Sequence, residues 1–267
     1  MVPDSLRPLL VFALVSNLYG SGIVATLALR ANTHPLPTPF SLKKFYALMG
    51  WAPLTFASLG LLISPRYFAF FFLAGSAGIV GEVLVSILWR NYFAEPIWVY
   101  SYGAKVRGDT SSLNFLPWAV GALLFHLTSK VLGAEVGFAQ VQRPMLIAAA
   151  SVTVGVLAGF PLRRLTAARL RQFSGGAFAV FCLPIATTAI ALGVLCGPWW
   201  PAAMGTFAVV GFYTEYSYGR GMSMFFARGL WTYQRWPIDQ GHSSFVTFPL
   251  WALGGLYFYF VTATLGV

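Results

Sequence analysis

Two glutamates lie inside apolar stretches of this 267-residue chain, and each follows a glycine four positions earlier. They are Glu82 in Gly-Ile-Val-Gly-Glu and Glu215 in Gly-Phe-Tyr-Thr-Glu. A carboxyl group in apolar membrane surroundings normally faces the protein interior or a wet cavity, and it often marks a functional site. We interpret the pair as catalytic proton donors and acceptors. The alternative is structural, in which each Glu binds an amide, Trp or Tyr and fastens neighbouring helices.

The two glutamates are related by an internal repeat with a constant offset of 133 residues. The segments 78–125 and 211–258 align without a gap, and the offset continues through most of the chain. Identical pairs include Trp98/Trp231, Tyr100/Tyr233, Gly108/Gly241, Trp118/Trp251 and Phe125/Phe258. Such self-similarity is typical of a duplicated unit. The sequence therefore predicts two repeats, residues 1–133 and 134–267.

Composition places these repeats in a membrane. Hydrophobic residues make up 58% of the chain and charged residues only 9%, against about 25% charged residues in soluble domains. A membrane crossing needs about 20 apolar helical residues. We therefore predict an all-α polytopic membrane protein with eight transmembrane helices, arranged as two parallel four-helix repeats. The predicted crossings are Leu9–Leu29, Phe45–Ser64, Tyr67–Trp89, Thr110–Ser129, Pro144–Leu162, a segment from Gln172 to the turn at 197–201, Ala202–Phe225 and Phe245–Gly266.

Charge distribution predicts the orientation. Most of the 17 Lys and Arg residues fall in the loops after the first, third, fifth and seventh predicted helices. The positive-inside rule places those loops in the cytoplasm and both termini on the non-cytoplasmic side. The net charge of +10 thus indicates contact with anionic membrane lipids, and we expect no nucleic-acid partner.

Familiar cofactor motifs do not occur in the sequence. It contains no glycine-rich phosphate loop, no His-Glu-x-x-His pattern and no histidine box, so we expect no ATP hydrolysis by this chain, no metal and no cofactor. Cys182 and Cys196 are interpreted as packing residues.

The loop before the last helix of each repeat carries a second shared block, Gly108 to Gly121 and Gly241 to Gly254. Capping of the following helix by a hydroxyl group explains part of it, and a re-entrant loop beside the glutamates is the alternative. The substrate-binding residues expected from this block are Asn114, Ser244 and His242, the last at the mouth of the site. His126, in the fourth helix, is placed either in the same cavity or as a packed core histidine.

Aromatic residues form 17% of the chain, and several flank the glutamates. Those expected to contact a hydrophobic small-molecule substrate are Trp89, Tyr92, Tyr213 and Tyr216. The alternatives are core packing and interfacial belts, the role assigned to Trp98, Tyr100, Trp231 and Tyr233. Aromatic faces stabilise cations, so acids and rings together suit protonation of an isoprenoid alkene.

A family resemblance appears at these residues. Gly-x-x-x-Glu followed by Gly-His-Ser-Ser-x-x-x-Phe-Pro-x-x-x-x-Gly resembles the type IV ABC-transporter (CmpB-like) integral membrane family, over about the last two helices of each repeat. The chain departs from that family at Trp251-Ala252, where the family tends to have Tyr-Gly, and it carries no nucleotide-binding segment. The resemblance implies an integral-membrane architecture.

Three functions remain open from the sequence. The first is a cofactor-independent enzyme, an isomerase or a terpene- or carotenoid-type cyclase, that acts on a lipid or isoprenoid through Glu82 and Glu215. The second is a proton-coupled transporter or flippase, with a hinge at Gly219-Arg220-Gly221 and Arg220 as partner of Glu215. The third is a non-catalytic scaffold subunit of a membrane complex.

Overall fold

The computed structural model describes residues 6–30, 36–103, 105–106, 108–133, 138–166 and 170–267, and it is mostly helical. The helices are α1 (Arg7–Arg30), α2 (Leu42–Met49), α3 (Trp51–Leu62), α4 (Arg66–Phe93), α5 (Phe115–Val131), α6 (Phe138–Leu162), α7 (Gly175–Phe181), α8 (Leu183–Cys196), α9 (Trp199–Ser223) and α10 (Thr247–Leu265). The prediction of a helical protein is confirmed.

Several of these helices are suited to a membrane. Five segments in the described part of the chain are long and apolar enough to cross one: Arg7–Leu27, Leu42–Leu62, Arg66–Phe93, Phe138–Leu165 and Thr247–Leu265. The pair α7 and α8, bent by 50°, adds a sixth if it forms one crossing. Large apolar side chains such as Leu14, Leu61 and Leu146 are exposed on the helix surfaces, as expected for surfaces that face lipid. The chain is therefore an integral membrane protein.

Helix boundaries follow local chemistry. Pro65 and Pro198 directly precede α4 and α9, where a missing N–H removes no helical hydrogen bond. Ser174 caps α7, because its hydroxyl accepts a 3.2 Å hydrogen bond from the Ala177 amide. Helix α4 is followed by Ala94, which adopts a left-handed conformation and caps the helix by donating its amide to the Arg90 carbonyl.

Two predicted crossings begin later than the sequence indicated. The segment predicted as helical from Thr110 starts its helix at Phe115, and the one predicted from Phe245 starts at Thr247. Gly108 and Gly241 have φ of 77° and 83°, a backbone conformation that interrupts a helix and favours glycine. A short strand and a 3-10 turn lie between Gly108 and its helix, and a short strand and a turn lie between Gly241 and its helix.

The strands, which the sequence did not predict, form three antiparallel pairs. They are β1 (Trp98–Tyr100), β2 (Lys105–Val106), β3 (Thr110–Ser111), β4 (Trp231–Tyr233), β5 (Pro237–Ile238) and β6 (Ser243–Ser244). The β2–β3 and β5–β6 pairs are local hairpins, whereas β1 pairs with β4 across the two halves of the chain. The β1–β4 register centres on Val99 opposite Thr232, two positions separated by the repeat offset of 133. This pairing therefore has local twofold symmetry.

Aromatic rings also join the two halves of the chain. Phe125 of α5 stacks on Phe258 of α10, with ring centroids 6.0 Å apart and an interplanar angle of 9°. Phe207 of α9 meets Phe125 edge-on at 5.6 Å, and all three rings are buried. Helices α5, α9 and α10 thus share one core.

Gly155 provides a test of the α6–α8 packing. A Cβ at this position would lie 2.4 Å from Cα of Pro184, which is backbone. Overpacking of this kind costs about 1–3 kcal/mol, so Gly155→Ala is expected to lower the unfolding temperature of the detergent-purified protein. Gly22, its repeat counterpart, has no atom within 4 Å of the same added Cβ. Gly22→Ala is the matched control, and equal unfolding temperatures for the two variants would contradict this packing.

Candidate functional site

One cavity contains both intramembrane glutamates. Its volume is about 1190 Å³, and its wall includes residues of α4, α5, α9 and α10 together with the β1–β4 strand pair. Most of the lining side chains are apolar or aromatic. Both Glu82 and Glu215 form part of this wall. The two carboxyl groups therefore face a shared apolar space, which is large enough for a lipid-like molecule.

Glu82 lies on α4 and receives four side-chain hydrogen-bond donors. The hydroxyls of Tyr100 and Thr110 donate to its two oxygens. Nδ2 of Asn114 donates to Oε2 at 3.1 Å, and Nε1 of Trp118 donates to the same oxygen at 3.0 Å. The Glu82 side chain is buried. Its carboxyl group is thus held by a strand, a hairpin and the first turn of α5.

Glu215 lies on α9 and has the equivalent set of four donors. The Tyr233 hydroxyl donates to Oε1. The hydroxyls of Ser243 and Thr247 donate to Oε2 at 2.8 and 3.0 Å, and Nε1 of Trp251 donates to Oε2 at 3.3 Å. Every member of this cluster stands 133 positions after its counterpart around Glu82. The two glutamate clusters therefore have the same construction.

The glycine of each Gly-x-x-x-Glu motif makes room for the indole that binds the glutamate. A Cβ at Gly78 would lie 2.2 Å from Cγ of Trp118, and a Cβ at Gly211 would lie 2.6 Å from Cγ of Trp251. Neither position accepts a larger side chain without displacing its tryptophan. The motif is thus explained by close packing of the indole beside the carboxyl group one helical turn away.

The two clusters meet through their tryptophans. The rings of Trp118 and Trp251 have centroids 5.4 Å apart at an interplanar angle of 42°. Since each indole donates to its own glutamate, the contact connects the two carboxyl groups across the cavity.

The predicted pairing of Arg220 with Glu215 is wrong. Arg220 forms an ion pair with Asp239, and the Tyr216 hydroxyl donates to the same carboxylate at 3.0 Å. These hydrogen bonds lower the pKa of Asp239 below its ordinary value. Arg220 is exposed at the end of α9, where an ion remains hydrated, whereas the Glu215 carboxyl faces the cavity. Tyr216 therefore binds the Asp239 carboxylate outside the cavity.

Of the other residues predicted from the sequence, Asn114 and Tyr213 line the cavity. Asn114 bonds directly to Glu82, whereas Tyr213 is largely exposed. Trp89 and Tyr92 are buried against Phe181 of α7 instead, with ring centroids 5.3 and 5.4 Å away. Trp89 follows Glu82 by seven residues, or two helical turns, which carries it past the cavity into a separate aromatic core.

His126 is distant from the glutamates along the helices. It is buried, and its Nε2 lies 3.1 Å from the hydroxyl of Tyr67. Tyr67 precedes Glu82 by 15 residues of α4, a rise of about 22 Å. His126 therefore fits the interpretation of a packed core histidine.

The two predicted residues of the second loop support that loop. The Ser244 hydroxyl donates to the carbonyl of Trp236 at 3.0 Å and accepts the amide of Val246 at 3.2 Å. His242 is buried against Gly219, and desolvation lowers its pKa. Neither side chain is among those lining the cavity.

Sequence reasoning missed most of the donors around the glutamates. Tyr100 and Tyr233 had been assigned to interfacial belts, although their hydroxyls bind the carboxyl groups. The other donors not singled out are Thr110, Ser243, Thr247, Trp118 and Trp251. A signal was available, because the repeat offset brings a tyrosine, a tryptophan and a hydroxyl group to matching positions in both halves.

No group of three or more His, Cys, Asp or Glu side chains within the described ranges is arranged to hold a metal ion. Comparisons with models of known protein families, with curated proteins and with solved structures found no match for this chain.

Proposed function

We propose that this protein is a membrane-embedded enzyme that acts on a lipid or isoprenoid by acid and base chemistry, as an isomerase or cyclase. The observation that carries the proposal is the pair of glutamate clusters on the wall of one apolar cavity. An apolar substrate from the surrounding lipid fits this space, and two carboxyl groups supply a proton donor and a proton acceptor without a cofactor.

The donor sets support different roles for the two glutamates. Two of the groups around Glu82, the amide of Asn114 and the indole of Trp118, point N–H bonds at the carboxyl group and accept nothing there. They suit an ionised carboxylate, so we assign Glu82 as the base. Three hydroxyls surround Glu215, and a hydroxyl oxygen also accepts a hydrogen bond from the O–H of a carboxylic acid. We therefore assign Glu215 as the acid.

The reaction balances without an oxidant or reductant. Glu215 delivers a proton to one carbon of a substrate double bond, and the π electron pair forms the new C–H bond. Glu82 then removes a proton from a carbon next to the resulting cation, and the electrons of that C–H bond form the new double bond. The faces of Trp118 and Trp251 stabilise the cation between these steps. An isomerised or cyclised product leaves with the same atoms as the substrate. Glu82 then releases its proton to water and Glu215 takes one up from water, which restores both carboxyl groups for the next turnover.

The proposal includes eight crossings in two parallel repeats, with both termini on the non-cytoplasmic side. Support comes from the helix bounds, since α4 and α9 begin at Arg66 and Trp199 and α5 and α10 at Phe115 and Thr247, each pair within one residue of the repeat offset. A C-terminal alkaline phosphatase fusion is expected to be active, because that enzyme requires an oxidising compartment. The matching fusion after Lys44 is expected to be inactive, and the reverse pattern would contradict the orientation.

Proton-coupled lipid transport is the second candidate. The twofold pairing of β1 with β4 favours it, because two similar halves that meet at a narrow strand contact are suited to rocking about a central cavity. Transport moves a substrate without changing it, so chemical analysis separates the two candidates.

The experiment is mass spectrometry of lipid extracts from cells that produce the native chain, Glu82→Gln or Glu215→Gln, including lipids that co-purify with the protein. A compound that appears with the native chain and is absent with either variant supports catalysis. Identical extracts, with an unmodified lipid bound to all three proteins, would favour transport or a scaffold role.

A further inference from the structure

Tyr218 and Trp231 are residues of the cavity wall whose side-chain hydrogen-bond donors have no partner in the part of the chain that the structure describes. The Tyr218 hydroxyl and the Trp231 Nε1 are buried, and neither has a hydrogen-bond partner among the described residues. Both side chains line the cavity, and Trp231 is only 8% exposed. Buried polar groups in native proteins are nearly always paired. These two donors therefore point to a partner that is not part of the chain.

In the first half of the chain, the tryptophan at the corresponding position has a hydrogen-bond partner. Trp98 precedes Trp231 by the repeat offset, and its Nε1 donates to the carbonyl of Asp109 at 2.9 Å. Position 109 corresponds to His242, whose carbonyl lies 3.0 Å from the place of a Cβ on Gly219 and accepts nothing from Trp231. Position 218 corresponds to Val85, which has no hydroxyl. The free donors thus distinguish the second cluster from the first.

The free donors lie beside Glu215. Tyr218 follows Glu215 by three residues on α9, so the two are neighbours on one helix face, with a rise of about 4.5 Å. Trp231 stands two positions before Tyr233 on β4, hence on the same side of the strand, and the Tyr233 hydroxyl donates to Glu215. Tyr218 also stacks on Trp231, with ring centroids 5.5 Å apart at 24°. The stacking therefore holds the two donor-bearing side chains against each other.

We infer that the cavity binds an apolar molecule bearing an uncharged oxygen, a hydroxyl, carbonyl or ether, which accepts hydrogen bonds from Tyr218 and Trp231. An uncharged group is favoured because the donors carry no formal charge and the ionised Glu82 on the same wall repels a carboxylate or phosphate. The hydrocarbon part extends along the apolar wall formed by α4, α5 and α10. This inference rests on the proposed function, for which it defines the substrate class and its orientation, with the oxygen near Glu215.

The test measures binding, which is separate from turnover. Purified full-length protein in detergent is titrated with three C20 probes that share one branched skeleton: phytol, phytane and phytanic acid. The native protein is expected to bind phytol about tenfold more tightly than phytane, the ratio given by roughly one net hydrogen bond. Ionised phytanic acid is expected to bind more weakly than phytol.

Trp231→Phe and Tyr218→Phe remove one donor each and keep an aromatic ring in the stack. Each variant is expected to lose most of the preference for phytol over phytane while binding phytane as the native protein does. Trp98→Phe is the matched control, because the Trp98 indole already has a partner within the chain, and it is expected to retain the preference. Unfolding temperatures of the three variants verify that each is folded.

Two results would overturn the inference: equal affinity of the native protein for phytol and phytane, or a preference that survives in both Trp231→Phe and Tyr218→Phe. The second result is expected if the donors bind only water. A preference that depends on both donors, in a protein that converts no lipid, would leave the inference standing and remove the proposed catalytic function. The two proposals can therefore fail independently.

Discussion

Product formation by Glu82→Gln is expected to fall by about 10²–10⁴-fold, the usual contribution of a general acid or base. Glutamine keeps the size of the side chain but accepts no proton at its amide nitrogen. The amide nitrogen of glutamine would also face a hydrogen-bond donor, because all four groups around Glu82 donate hydrogen bonds to its carboxyl group. Glu215→Gln is expected to cause a loss of similar size, since it removes the acid of the same reaction.

Glu95→Gln is the matched control for both variants. Glu95 accepts two hydrogen bonds of 2.6 Å from Arg235 and is not among the residues lining the cavity. The same chemical change at this position is expected to leave turnover close to that of the native protein. Turnover is measured as product per folded protein in purified membranes, with folding judged by gel filtration. Native turnover in Glu82→Gln would contradict the assigned base.

Gly78→Ala is expected to reduce both stability and turnover. The added Cβ would meet Cβ and Cγ of Trp118 at 2.4 and 2.2 Å. These atoms are at the base of the side chain, so a rotation of the ring does not relieve the clash, and overpacking costs about 1–3 kcal/mol. Displacement of Trp118 also breaks its hydrogen bond to Glu82. Gly211→Ala is expected to act in the same way through Trp251.

Gly81→Ala is the control on the same helix. An added Cβ at Gly81 meets no atom within 4 Å, and alanine favours a helix over glycine by up to about 1 kcal/mol. Its unfolding temperature in detergent is therefore expected to equal or exceed that of the native protein. Equal stability and turnover of Gly78→Ala and Gly81→Ala would contradict the claim that close packing against Gly78 positions the Trp118 indole beside Glu82.

The sequence indicated the membrane setting and singled out Glu82 and Glu215 because both signals are local. Apolar stretches show where a chain can enter lipid, and a carboxyl group within one is conspicuous. The duplicated Gly-x-x-x-Glu motif also has a local cause, since its glycine accommodates Trp118 or Trp251 one turn from the carboxyl group.

The donors were harder to predict because they come from distant parts of the chain. Tyr100 reaches Glu82 from β1, a strand that the sequence did not predict and that pairs with β4, 133 residues further along the chain. A Tyr beside a predicted membrane crossing is typical of an interfacial belt, so Tyr100 and Tyr233 were assigned to belts and not to the glutamates. Trp89 and Tyr92 show the opposite error, because a short distance in sequence from Glu82 does not decide which face of the bundle a side chain occupies.

Deuterium transfer tests the central claim most directly. Purified protein is incubated in deuterated buffer with the lipid that co-purifies with it, and the extracted lipid is returned to ordinary water before mass spectrometry. Acid and base chemistry at carbon predicts a stable mass gain with the native protein and Glu95→Gln, and none with Glu82→Gln or Glu215→Gln. A lipid that gains no deuterium and yields no new compound with the native protein would contradict catalysis.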